Sequence, residues 1–177
     1  FKYNPDGMAA GHGKTDFFTF QLNHLLSNKM FYDLKISQTK NYSGSYLFEN
    51  PLDSNYVHDK YLESFGPGFF TGGQQKHHDT RTIDNFNVKF DFNWQINNSH
   101  NLKTGLNFKK YDIDNSWRQI RNEYFGTPLE GQLYKPKVFG DSTLFADVYT
   151  AQPQEFSAYI QDKMEFQDMV INFGLRY

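Results

Sequence analysis

Hydrophobic and polar residues alternate along most of this chain, most clearly between Asn85 and Asn97. A β-strand sends successive side chains to opposite faces, whereas a helix would distribute both sets around its axis. The alternation spans twelve residues, more than the ~5–6 of an average strand and enough for the ~9–11 that a tilted strand needs to cross a bilayer. It predicts a strand whose apolar, lipid-facing side carries Phe86, Val88, Phe90, Phe92, Trp94 and Ile96.

The same period-two pattern recurs along the chain and predicts six long strands. Their connections alternate in length: three are tight turns rich in Asn, Ser and Asp, and two are long loops. Short turns on one side and long loops on the other are typical of bacterial outer-membrane barrels. The predicted strands are at about 15–24, 29–41, 82–97, 101–115, 154–166 and 169–177, and the outer loops at about 42–81 and 117–153.

The predicted fold class is therefore all-β, an antiparallel up-and-down meander of about six long strands. A soluble sandwich also gives each strand one apolar face, but its apolar faces pack against each other. Strand length, the polarised connections and aromatic residues near strand ends favour a transmembrane barrel instead. Six strands are fewer than the ~8 of the smallest such barrels, and open sheet edges are costly in lipid. We therefore expect residues 1–177 to form part of a larger barrel.

Composition narrows the range of functions. The chain has no cysteine, which excludes a disulfide scaffold and a cysteine-based zinc site. Its net charge of −2 gives no general attraction to nucleic acid, so no nucleic-acid partner is expected. The 19% of aromatic residues argues against disorder. The mean hydropathy of −0.74 does not oppose membrane residence, because alternating residues cancel in the average.

Two stretches carry recognisable motifs, HNLKTGLNFKKYDIDNSW at 100–117 and EFSAYIQDKMEFQDMVINFGLRY at 155–177. They resemble the barrel of TonB-dependent outer-membrane receptors of the Bacteroidetes type. In that family H-x-L-K-x-G-L recurs as a strand that leaves an inner turn, and Y-x-Q-D-K-x-x-F followed by N-x-G-L-R-Y recurs as a hairpin pair. The matching residues here are His100, Leu102, Lys103, Gly105 and Leu106, then Tyr159, Gln161, Asp162, Lys163, Phe166, Asn172, Gly174, Leu175, Arg176 and Tyr177.

The resemblance implies a 22-stranded barrel in the bacterial outer membrane with an N-terminal plug domain. It implies energised uptake of a scarce ligand through the partners TonB, ExbB and ExbD, with a siderophore, cobalamin, an oligosaccharide or a peptide as ligand. The plug and the TonB box have no counterpart among these residues, so this segment is expected to supply barrel wall and outer-loop surface. The alternatives are a passive porin or other outer-membrane barrel, and a soluble carbohydrate-binding β-sandwich.

The long loops hold the candidate binding residues. Their aromatic residues have no periodicity, which suggests loops folded against each other or against a ligand. Adjacent histidines, His77 and His78, could ligate a transition metal. No catalytic constellation is convincing, so neither enzyme activity nor a cofactor is expected. The ligand-binding candidates are Tyr56, Tyr61, Phe69, Phe70, Trp117, Tyr124 and Phe125.

Asp162 departs from the pattern, because alternation would point its carboxylate into lipid. A bulge, or a position near the inner membrane interface, would reduce that cost. The neighbouring Lys163 and the turn at Gln167 favour the position near the interface.

Overall fold

A computed structural model describes residues 4–62 and 72–177 of the chain. These residues confirm the all-β class: they form an antiparallel meander, with two short 3-10 helices at Pro5–Gly7 and Asp59–Tyr61. None of the helices found in these residues is long and apolar enough to cross a membrane. The strands are β1 (Ala10–Ser27), β2 (Met30–Tyr46), β3 (His77–Gln95), β4 (His100–Asn122), β5 (Pro136–Val138), β6 (Ala146–Ala151), β7 (Gln154–Glu165) and β8 (Val170–Arg176).

All eight described strands belong to one sheet. Its order is β1-β2-β3-β4-β7-β8, and the short strands β5 and β6 both pair with β4. The order starts at β1 and ends at β8, so the described strands do not close into a barrel and these two strands are the sheet edges.

Four strands are longer than the alternation predicts, most of all β4, which continues to Asn122. The end of β4 finds backbone partners in segments predicted as loop: Ile120 is opposite Val138, and the Gln119 amide donates to the Phe145 carbonyl oxygen at 2.8 Å. Ile120 is only 1% exposed. Protein covers this end of the strand on both faces, so the alternation of apolar with polar residues that predicted the strand ends before the strand does.

The chain divides into two compact units. The strand unit comprises Thr15–Lys40, Ile83–Asp112 and Ala151–Tyr177. The loop unit comprises Phe1–Lys14, Asn41–Thr82 and Ile113–Thr150.

Tight turns in the strand unit follow from local side-chain chemistry. The Asn97 side-chain oxygen accepts hydrogen bonds from the backbone amides of Ser99 (2.8 Å) and His100 (2.9 Å). Asn and Asp favour turns because their side chains can replace backbone acceptors in this way. Across the β7–β8 connection the Phe166 amide donates to the Met169 carbonyl oxygen at 2.8 Å, which leaves only two residues in the loop.

The polar face of the strand unit is held by cross-strand contacts. Tyr159 lies opposite Gly105 in the β4–β7 register, and its hydroxyl donates to Asp91 at 2.8 Å. A Cβ at position 105 would overlap the Tyr159 ring, so glycine makes room for the ring to cross β4. Charged residues on this face form ion pairs: Lys89 with Asp91 (2.7 Å), Lys109 with Glu155 (3.3 Å), and Lys163 with Glu165.

The apolar face of the strand unit has no protein cover among the described residues. Phe20, Phe156 and Phe173 are 50%, 57% and 64% exposed. The Phe90 ring contacts Tyr32 of β2, with 5.6 Å between ring centroids. Within residues 4–62 and 72–177 the buried hydrophobic residues are Tyr46, Tyr56 and Ile120, all in the loop unit. The strand unit is therefore a single layer with its large apolar side chains on the surface.

Asp162 lies in unbroken β7 pairing, so no bulge turns it away from the apolar face. Its carboxylate contacts the His100 Nδ1 at 2.7 Å, and Leu102 is its partner across the strands. Lys163 pairs with Glu165 instead, because consecutive strand residues point to opposite faces. His100 is therefore the side chain that contacts Asp162, and the position of Asp162 near the inner membrane interface stays a prediction.

Candidate functional site

The loop unit is organised by one buried amide side chain. Asn122 is 3% exposed and ends β4. Its Nδ2 donates to the carbonyl oxygens of Leu133 (2.7 Å) and Glu130 (3.2 Å), and its Oδ1 accepts from the amides of Lys135 (3.1 Å) and Tyr124 (3.3 Å). Buried polar groups must be satisfied in this way. A single side chain therefore fixes the segment from Tyr124 to Lys135 against the end of β4.

Beside this segment the loop unit has a cavity of about 550 Å³ that is open to solvent. That volume lies within the ~300–1,000 Å³ usual for small-molecule sites. The lining mixes an aromatic ring with charged and amide groups. It includes Asp59, Lys76, His77, Trp117, Gln119 and Arg121.

Lys76 is a buried cation with a defined environment. Its side chain is 8% exposed, its Nζ lies 2.7 Å from Asp59, and it sits 4.1 Å from the centre of the Tyr134 ring. Burial lowers the pKa of the Lys76 ammonium, and the ion pair with Asp59 opposes that shift. Asp59 thus balances the charge of Lys76 inside the loop unit.

Arg121 is held differently. Its guanidinium lies 4.1 Å from the centre of the Phe125 ring and 4.9 Å from that of Phe145. Cation–π contacts of this kind position a guanidinium without neutralising it. The Arg121 Nε is buried without a hydrogen-bond partner. Among residues 4–62 and 72–177, no carboxylate forms an ion pair with Arg121.

Arg118, three residues earlier on β4, provides a contrast. Its guanidinium pairs with Asp141 at 2.7 Å and donates to the Phe139 carbonyl oxygen at 3.3 Å. Arg118 therefore has a structural role within the loop unit, whereas Arg121 has no carboxylate partner among the described residues.

The predicted aromatic binding residues separate in the structure. Trp117 lies in β4 and lines the cavity, although it was expected in a loop. Tyr56 is 3% exposed and packs edge-on against Phe48, so it supports the loop and is not accessible to a ligand. Phe125 positions Arg121. Tyr124 is half-buried, Tyr61 is exposed, and Phe69 and Phe70 lie outside the described residues.

The histidine pair does not converge on a metal site. His77 lines the cavity, with its Nε2 3.3 Å from the Ser45 hydroxyl. His78 stacks on Tyr46, 4.8 Å between centroids, and its Nε2 lies 3.0 Å from the Glu49 carbonyl oxygen. Neighbours on a strand point to opposite faces. Within the described ranges no group of three or more potential ligands from His, Cys, Asp and Glu comes together.

Sequence reasoning missed Lys76, Gln119 and Arg121. Trp117, Gln119 and Arg121 occupy alternate positions of β4, a pattern that would have placed them on one face. The prediction ended this strand at about residue 115, which hid the alternation.

Tyr134 offers a test of the site geometry. Its hydroxyl is buried without a hydrogen-bond partner among the described residues, and burial raises the pKa of its phenol above the usual range. We expect Tyr134→Phe to leave the free energy of unfolding unchanged or to raise it by up to ~1 kcal/mol, because an unsatisfied buried hydroxyl is removed. Tyr134→Leu also removes the ring face under Lys76 and should cost about 1–2 kcal/mol. Urea unfolding measures both, and a Tyr134→Phe variant as costly as Tyr134→Leu would show that the hydroxyl is bonded.

Comparisons of the chain with protein-family models, with curated proteins and with solved structures find no match.

Proposed function

We propose that this chain is part of the wall and outer surface of a bacterial outer-membrane transporter. The observation that carries the proposal is the uncovered apolar face of the strand unit. Exposed apolar patches of this extent need a partner. The described strands form one sheet, so no second sheet covers this face as the soluble sandwich alternative requires. Lipid is the cover that fits.

Polar pairs border the apolar face at both ends, as a bilayer would require. Along β4, the His100–Asp162 pair lies at one end and the Lys110–Asp112 pair, at 3.2 Å, at the other. Between them the same face carries Leu102, Thr104, Leu106 and Phe108.

The spacing of these borders matches a membrane. Ten residues separate His100 from Lys110, which is about 33 Å along a strand and about 25 Å across a bilayer at a tilt of ~40°. The outward apolar band of outer-membrane barrels is ~25 Å tall. On β2 and β3, Gln38 donates to Asp84 at 3.1 Å and marks a further polar contact at the edge of the apolar stretch.

The edges of the sheet support a larger barrel. β1 and β8 each pair with one described strand only. An unpaired backbone group in lipid costs several kcal/mol, so the proposal includes further strands on both edges. The 22-stranded barrel with a plug domain is the arrangement that the motif resemblance implies.

Contacts between the two motif stretches give a physical reason why these residue types occur together. His100 from one stretch pairs with Asp162 from the other, and Gly105 makes room for Tyr159. The two stretches thus read as one interacting strand pair, which favours a TonB-dependent receptor over a porin. In this proposal TonB, ExbB and ExbD supply energy for uptake, and the loop unit contacts the ligand.

Site-directed spin labelling tests the membrane part. The chain has no cysteine, so single cysteines at positions 86 to 93 of β3 can carry a nitroxide. We expect even positions to be accessible to oxygen and protected from an aqueous nickel chelate, and odd positions to show the reverse. A soluble sandwich core would exclude both reagents at even positions, and that result would contradict the proposal. Collapse of the proton-motive force should abolish uptake by a TonB-dependent receptor and leave a porin unaffected.

A further inference from the structure

We infer that the cavity of the loop unit binds the anionic group of a small acidic ligand through Arg121; this inference rests on the transporter function proposed above. Three side chains at alternate positions of β4 line the cavity, namely Trp117, Gln119 and Arg121. No described residue makes a side-chain hydrogen bond to any of the three. They are therefore free to bind a molecule from solution.

The chemistry of these groups selects the ligand. An indole N–H and a guanidinium can only donate hydrogen bonds, and only the Gln119 amide can also accept. A complementary ligand must be rich in acceptors. Two described carboxylates line the cavity with Arg121, and neither forms an ion pair with it: Asp59 pairs with Lys76, and Glu130 keeps its negative charge while accepting from the Gly126 amide at 2.9 Å. A carboxylate, phosphate or sulfonate of the ligand would satisfy the guanidinium fork.

The site is also preorganised for a flat molecule. Phe125 and Phe145 hold the guanidinium in place, so little side-chain entropy is lost when an anion binds. The half-buried Trp117 lines the same cavity and lies four residues before Arg121 on β4. An acidic molecule with a planar ring fits both features, and a neutral oligosaccharide leaves the charge of Arg121 unmatched.

The experiment uses two probes of nearly equal shape, 3,5-dinitrobenzoate and its neutral amide, 3,5-dinitrobenzamide. Both quench tryptophan emission, and the quenching that depends on the cavity is isolated by subtracting the signal of Trp117→Phe. In the whole protein in non-ionic detergent, we expect the benzoate to half-saturate at about tenfold lower concentration than the benzamide, as a charge-assisted hydrogen-bonded pair implies. In Arg121→Gln the benzoate should lose this advantage, and the benzamide should bind as before.

Arg118→Gln is the matched control. It also removes a guanidinium from β4, but the guanidinium of Arg118 already has Asp141 as its partner. It should keep the tenfold preference. Equal half-saturation by both probes in the unaltered protein, or an unchanged preference in Arg121→Gln, would overturn the inference. If Arg121→Gln disturbs the loop and loses both probes, Arg121→Lys decides: a retained preference for the benzoate supports the inference, and no preference overturns it.

Failure of the inference and failure of the transporter proposal are distinguishable. Probe binding needs neither energised uptake nor a bilayer. If spin labelling shows lipid-exposed even positions on β3 but the two probes bind equally, the transporter proposal stands and the anion site is rejected. If the benzoate is preferred but the even positions of β3 are not exposed to lipid, the anion site stands and the membrane function is rejected.

Discussion

Phe90→Lys is expected to lower the free energy of unfolding in lipid vesicles by about 2–4 kcal/mol, because in the proposed transmembrane arrangement it places an ammonium near the midplane of the bilayer. Phe90 lies midway along the alternating part of β3, and its ring contacts Tyr32. Urea unfolding in lipid vesicles, followed by tryptophan emission, measures the change.

Two lysine substitutions serve as controls for Phe90→Lys. Asn87→Lys lies on the same strand and the opposite face, and its cost should stay below about 1 kcal/mol because that face is hydrated or covered by polar groups. Gln38→Lys lies on the apolar face at its polar edge, beside Asp84, and should cost about 0–1 kcal/mol. If Phe90→Lys and Asn87→Lys lower the free energy of unfolding equally, the proposal that one face of β3 contacts lipid is contradicted.

His100→Leu is expected to destabilise the protein by about 1–3 kcal/mol, because it leaves the Asp162 carboxylate on an apolar face without its partner. One Asp162 oxygen, Oδ1, is already buried without a hydrogen bond in the described structure. The side chains of His100 and Asp162 are 35% and 27% exposed, so solvent moderates the effect below that of a fully buried pair.

A double-mutant cycle isolates the His100–Asp162 interaction. Asp162→Leu removes the misplaced charge and should cost less than His100→Leu, and the double variant should resemble Asp162→Leu. The matched control is the Lys110–Asp112 pair, which is 39% and 45% exposed and should show a coupling of no more than about 0.5 kcal/mol. Additive effects of His100→Leu and Asp162→Leu would mean that the contact contributes nothing to stability.

The sequence predicted the sheet because the two faces of a strand alternate with a strict period of two. Between Phe86 and Trp94 every even position is apolar and every odd position is polar, so each strand face can be read from the sequence. The tight turns were readable for a similar reason, since Asn97 alone supplies the acceptors that its turn needs.

The loop unit could not be predicted in the same way, because its contacts join residues far apart in the chain. Lys76 meets Asp59 and Tyr134, and Arg121 meets Phe125 and Phe145. Tyr56 and Trp117 look equivalent as loop aromatics in the sequence. One is buried against Phe48, and the other lines the cavity.

By itself the sequence determined an antiparallel meander with one apolar and one polar face, because alternation is a local property that each strand carries alone. Only the tertiary structure decided that His100 accompanies Asp162, that His77 and His78 have different partners, and that Arg121 has no carboxylate partner among the described residues. These outcomes depend on strand register and loop packing, which bring together residues whose spacing along the chain carries no period.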